Sequence, residues 1–106
     1  MTPAQRYEHL VRELSRSPGV TNISEGKGFG SSGQLKVNGR IFAMLVRDEL
    51  VLKLSRERVD GLVDAGAGRR FDAGKGKPMR EWFVLSKTSK RSWADLAREA
   101  LRFVGG

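Results

Sequence analysis

The chain has no cysteine and a single histidine, His9. It therefore has no disulfide, no thiolate nucleophile and no cysteine-held metal, and one imidazole leaves zinc or iron only carboxylate-dominated sites. Proline occurs only at Pro3, Pro18 and Pro78, and aromatic residues make up 8% of the sequence. No apolar run approaches the roughly 18 residues of a membrane helix. The start, Met1-Thr2-Pro3-Ala4-Gln5, has no hydrophobic leader core. The expectation is a soluble, cytoplasmic protein with no membrane contact, no metal and no cofactor. What is present is core material: 106 residues with an apolar share of 39% suffice for one domain, spanning 1–106, around one core.

Charge is abundant but unevenly placed. The net charge is +8, and residues 69–91 carry +6 of it. That stretch holds Arg69, Arg70, Lys75, Lys77, Arg80, Lys87, Lys90 and Arg91 against only Asp72 and Glu81. A localised excess makes a directed field, whereas uniform basicity mainly serves solubility. Its complement is a polyanion, with nucleic acid first, an acidic protein second and a small phosphorylated ligand third.

Periodicity predicts the elements. Thr2 caps a first helix with Pro3 at its first position and Tyr7, Leu10, Val11 and Leu14 on one face, ended by Ser17-Pro18-Gly19. Residues 20–33 read as irregular and Gly-rich. Leu35-Lys36-Val37 and residues 41–46 then flank Asn38-Gly39, the dipeptide that best tolerates a type I′ turn. Arg47-Asp48-Glu49 makes the next turn and residues 50–54 return as a third strand. Ser55 caps a second helix running to about Ala65, with Val59, Leu62 and Val63 inward and Gly66 as its stop. Residues 66–80 read as a loop interrupted by Phe71, which can anchor a short strand, and residues 82–85 as a short buried strand in which Trp82 and Phe83 are core. Ser92 caps a last helix with Trp93, Leu96, Ala97, Ala100, Leu101 and Val104 inward. The order gives an α+β domain with one mainly antiparallel sheet.

In the middle strand, Ile41, Ala43 and Leu45 fall on one side and Phe42, Met44 and Val46 on the other. Both sides are apolar, so both are expected to be covered. Helices can cover one; a further layer or a second subunit, making a homodimer, can cover the other.

Residues 28–33 spell G-x-G-x-x-G, but the motif works where it leaves a strand and opens a helix that receives the pyrophosphate. Here it follows a loop and precedes a strand, so it reads as a connection. Ser31 and Ser32 have no base to activate them, because His9 lies off the apolar face of its helix. The run from Gly68 to Lys77 evokes a phosphate loop. Its spacing is one residue too long, however, and Gly76 stands where Ser or Thr would hold magnesium. It keeps what glycines and cations offer any phosphate, exposed N–H groups and charge. The helical carboxylates Glu57, Asp60, Asp95 and Glu99 interleave with arginines and read as surface pairs rather than as an acid/base couple. No helix-turn-helix, zinc-finger or RNP signature is present, so nucleic-acid contact is expected through phosphates, with weak sequence preference.

Taken together, Phe29-Gly30, the run Val37-Asn38-Gly39-Arg40-Ile41-Phe42-Ala43-Met44-Leu45, and Leu50-Val51-Leu52-Lys53-Leu54 resemble the N-terminal domain of TfoX/Sxy proteins. The later Phe71, Met79, Glu81-Trp82, Trp93 and Glu99-Ala100-Leu101 are similar to that family and to its MmcQ/YjbR relatives. The resemblance covers roughly residues 6–104. It implies an α-β3-α-β2-α arrangement like that of secretion-chaperone-type domains, in a bacterial, non-enzymatic protein. TfoX/Sxy members are associated with regulating competence genes, and YjbR-like proteins are often labelled DNA-binding. Two-domain members carry a further C-terminal domain; a single TfoX-like unit is expected here.

The expectation is thus a small regulatory or accessory protein contacting nucleic acid through residues 69–91. Arg69, Arg70, Lys75, Lys77 and Arg80 would meet phosphates, with Lys87, Lys90 and Arg91 at the rim. Alternatives are a dimeric protein-interaction domain and a binder of a small phosphorylated ligand.

Overall fold

Reciprocal capping starts the first helix. In α1 (Pro3–Leu14) the Thr2 hydroxyl accepts from the Gln5 N–H, while the Gln5 side chain accepts from the Thr2 N–H. This computed structural model describes residues 2–23, 34–71, 79–87 and 89–105. The G-x-G-x-x-G run at 28–33 therefore lies outside the described residues, as does most of the Gly68-to-Lys77 run.

The residues after α1 are not all irregular, as their composition suggests: Val20–Ile23 form an edge strand, β1, paired antiparallel with β2 (Gln34–Val37). A four-residue strand leaves too short a periodic signal to stand out beside a Gly-rich run. β2 turns through Asn38 (φ 52°) and Gly39 (φ 83°) into β3 (Arg40–Val46), the type I′ geometry expected of that dipeptide. β3 turns through Arg47 (φ 51°) and Asp48 (φ 66°) into β4 (Glu49–Lys53).

Ser55 then caps α2 (Arg56–Asp64) by accepting from the Arg58 N–H. After Gly66, at φ 76°, the chain enters β5 (Gly68–Phe71) and returns as β6 (Met79–Leu85). Two sequence expectations are corrected here. The short strand at Phe71 extends back to Gly68 and takes in Arg69 and Arg70, and the strand after it begins at Met79 rather than at residue 82, bringing Arg80 into the sheet. A Cβ on Gly68 would lie 2.0 Å from the Val84 carbonyl oxygen, so this start of β5 requires glycine. α3 (Trp93–Gly105) closes the fold, its Asp95 N–H donating to the Ser92 hydroxyl.

The result is an α+β fold: the described residues form a six-stranded antiparallel sheet in the order β1-β2-β3-β4-β6-β5, with three helices. All three helices pack on one face. Tyr7, Leu10 and Leu14 of α1, Val59 and Leu62 of α2, and Leu96, Ala97 and Ala100 of α3 share one core with Leu35, Leu50, Leu52, Phe83 and Leu85. The register shift at Leu35/Lys36 leaves Ala43 opposite Leu35 and Ile41 opposite Lys36. Phe42 is therefore the extra residue of a bulge, and it joins Ala43 and Leu45 in the helix-side core. Strict alternation would have sent it to the opposite side. That opposite face carries half-buried Ile41, Met44, Val46 and Trp82, with Val51 and Val84 buried among them.

Candidate nucleic-acid interface

Alternation along β5 sends its two arginines to opposite faces. Arg69 aligns with Val84 on the face away from the helices and crosses β6 to reach Glu49 of β4. Its guanidinium donates twice, at 3.0 and 2.8 Å. Arg70 aligns with Phe83 on the helix side and pairs with Asp60 of α2. The Arg69 hydrogen bonds hold the Glu49 carboxyl below its ordinary value, against an opposing effect of burial and with help from the charges of Arg69 and Lys87. The same bonds raise the pKa of Arg69.

The other basic residues of this stretch separate as well. Arg80 is exposed near the start of β6, and Lys87 is exposed beyond its end, roughly 20 Å away at about 3.3 Å per residue. Lys90 and Arg91 are exposed on the approach to α3. Lys75 and Lys77 lie outside the described residues. Arg80 and Lys87 thus lie at opposite ends of β6, and the two arginines expected to lead phosphate contact are already held by carboxylates. Elsewhere Arg58 pairs with Glu99, and Arg98 with Glu13 and Asp95. Among the described residues, Lys36, Arg40, Arg80, Lys87, Lys90 and Arg91 have no carboxylate partner, and the same holds for Lys53 and for several arginines elsewhere, such as Arg12, Arg47 and Arg102.

Three of the sheet's central strands end at a feature that the linear charge count misses. Where β3 begins, β4 ends and β6 begins, a groove of about 510 Å³ opens against the last turn of α3, lined by Lys36, Arg40, Lys53, Glu81, Trp82 and Phe103 among others. Trp82, expected in the core, lies half-exposed on the sheet face away from the helices, because Phe83 and Leu85 take the inward positions of β6. Its cross-strand partner is Lys53, whose ammonium sits 5.5 Å from the ring centroid. Such an exposed cation–π contact is worth about 0.5–1 kcal/mol. Phe103, 41% exposed, is the one exposed large hydrophobic side chain among the described residues. Arg80 lies one residue before Glu81 on the same strand. Three cations, Lys36, Arg40 and Lys53, thus line the groove together with one carboxylate and two aromatic rings.

These residues come from five separate elements, so no window of sequence gathers them. One signal was available: Phe103 falls off the inward stripe of α3, and an apolar ring excluded from a core needs another surface.

The rest of the described residues offer little chemistry. His9 is exposed, and among the described residues no three His, Asp or Glu side chains cluster as a metal would require. No described helix is long and apolar enough to cross a membrane. Compared with protein families, with curated proteins and with solved structures, the chain matches none.

Proposed function

We propose that the chain is a small, non-enzymatic regulatory or accessory protein that contacts nucleic acid through backbone phosphates, as its resemblance to TfoX N-terminal and YjbR-like domains implies. The observation that carries this reading is the pairing pattern. Carboxylates hold Arg69 and Arg70, while Lys36, Arg40 and Arg80 stay without one at the end of the sheet, beside Lys53 over Trp82. Cations left unpaired are those able to exchange counterions for phosphates. On the same reading the fold is a secretion-chaperone-type arrangement with β1 added at its edge.

The test is fluorescence anisotropy of a labelled duplex of about 20 base pairs, titrated at several salt concentrations. With about four phosphates neutralised, log K falls against log salt with a slope of about −3 to −4. Reversing Lys36 and Arg40 to glutamate flattens that slope; no binding at low salt overturns the reading.

A second reading rests on Ile41, Met44 and Val46, half-buried on the sheet face away from the helices. A second copy of the chain covering that face would make the protein a dimeric interaction domain. Light scattering that shows a monomer at high micromolar concentration removes it.

A further inference from the structure

A duplex presents phosphates outward and keeps its base faces stacked. Cations alone suffice to hold it, and an aromatic ring set among them in a concavity gains nothing from it. The groove at the end of the sheet has such a ring. Trp82 is fixed on a β-strand, so its orientation is set by the sheet. One neighbour on that face is the ammonium of Lys53, and the exposed ring of Phe103 on α3 also lines the groove. The concavity, about 510 Å³, lies in the range of roughly 300–1,000 Å³ that holds small organic ligands.

We propose that this groove is a single-strand site in which Trp82 stacks on one unpaired base while Lys36, Arg40 and Lys53 take the flanking phosphates. The proposal deepens the nucleic-acid reading above and rests on it. Base–aromatic stacking tolerates any sequence because every base has a π-face, which suits a chain with no base-reading motif. Lys53 does not obstruct the site: its contact with the ring is loose, and a base that displaces the ammonium leaves it beside the incoming phosphate. Glu81 is the groove's one carboxylate among the lining residues. It repels the backbone from the Phe103 side and so orients the strand, with phosphates towards Lys36 and Arg40 and the base towards Trp82.

The alternative account of Trp82 is a surface ring shielded by a lysine stem, with no ligand. The two accounts separate in solution. The sequence has two tryptophans, so the Trp93→Phe variant leaves Trp82 as the sole indole reporter. Titrating it with an oligothymidylate of about 12 nucleotides quenches its fluorescence if a base stacks there. The single strand should bind about tenfold more tightly than a duplex of equal phosphate count. Trp82→Leu should weaken single-strand binding about tenfold while leaving duplex binding unchanged. Trp82→Phe should restore most of the loss, and Lys53→Glu, which keeps the ring, should also weaken the single strand.

Equal binding of both forms, unquenched and indifferent to Trp82, overturns the single-strand site and leaves phosphate contact standing. Absence of binding to either form at low salt overturns both. Thymidine monophosphate binding as tightly as the oligonucleotide also overturns the strand proposal and assigns the groove to a small phosphorylated ligand.

Discussion

Arg69 holds Glu49 from two strands away, its Nη1 and Nη2 each donating to a separate carboxylate oxygen across β6. Bidentate pairing of this kind is the strongest form of surface ion pair. The Arg69 side chain remains 62% exposed, so water and salt screen the pair and its worth stays at about 0.5–1 kcal/mol.

The pair makes part of the stability pH-dependent. Glu49 in the folded chain titrates below its ordinary value of 4.5. Its contribution is therefore complete above that value and is lost as pH falls through the lower folded one. Glu49→Gln should destabilise the protein by about 0.5–1 kcal/mol at neutral pH. Wild type and variant should converge as the solution is acidified below pH 4.5. Denaturant melts at stepped pH measure this; a constant gap down to full protonation would count against the pair.

The two central hairpins share one turn geometry and differ in how well their residues suit it. Asn38-Gly39 adopts positive φ at both positions at low cost, whereas Arg47 holds φ 51° with a side chain that disfavours it and Asp48 holds φ 66°, which aspartate tolerates but less freely than glycine. The double change Arg47→Asn with Asp48→Gly copies the first turn into the second. It should stabilise the fold by about 1 kcal/mol, raising the melting temperature by about 4–8 °C. The reverse transplant, Asn38→Arg with Gly39→Asp, should lower it by a similar amount. Thermal melts of both variants decide the matter. No gain from the first would mean that Arg47 or Asp48 makes a compensating contact.

Much of the fold was legible because local chemistry and burial agree. Thr2, Ser55 and Ser92 each cap the helix they were expected to cap, and Asn38-Gly39 turns as its side chains dictate. The departures have physical causes. β1 is a short edge strand held by its neighbour β2 rather than by its own periodicity. Phe42 changes sides because a bulge adds a residue to β3, and a bulge leaves no mark in an alternating pattern. The basic stretch was legible as charge but not as a surface. A count along the chain cannot show that Arg69 and Arg70 face opposite ways, or that Asp60 and Glu49 wait for them. The groove was the least legible feature, since Lys36, Lys53, Trp82 and Phe103 meet only once the sheet order is set.

Tyr7 provides a direct test of how α1 is seated on the sheet. It is the only tyrosine, it is fully buried, and its hydroxyl donates to the Ala43 carbonyl at 3.4 Å. Burial pushes the phenol above its ordinary value of 10.0, with a backbone hydrogen bond involving Leu35 acting in the opposite direction. A raised folded pKa means the group favours the fold fully below its unfolded value and loses that contribution as pH climbs above it. Phenolate absorbance should therefore stay flat through pH 10.0 and appear only as helical circular dichroism is lost. Tyr7→Phe, which cannot ionise, should hold its structure to higher pH, while giving up the hydroxyl's hydrogen bonds at neutral pH for a loss of about 1 kcal/mol. Ionisation near pH 10.0 in a protein that keeps its helical signal would show that α1 leaves the phenol in contact with water.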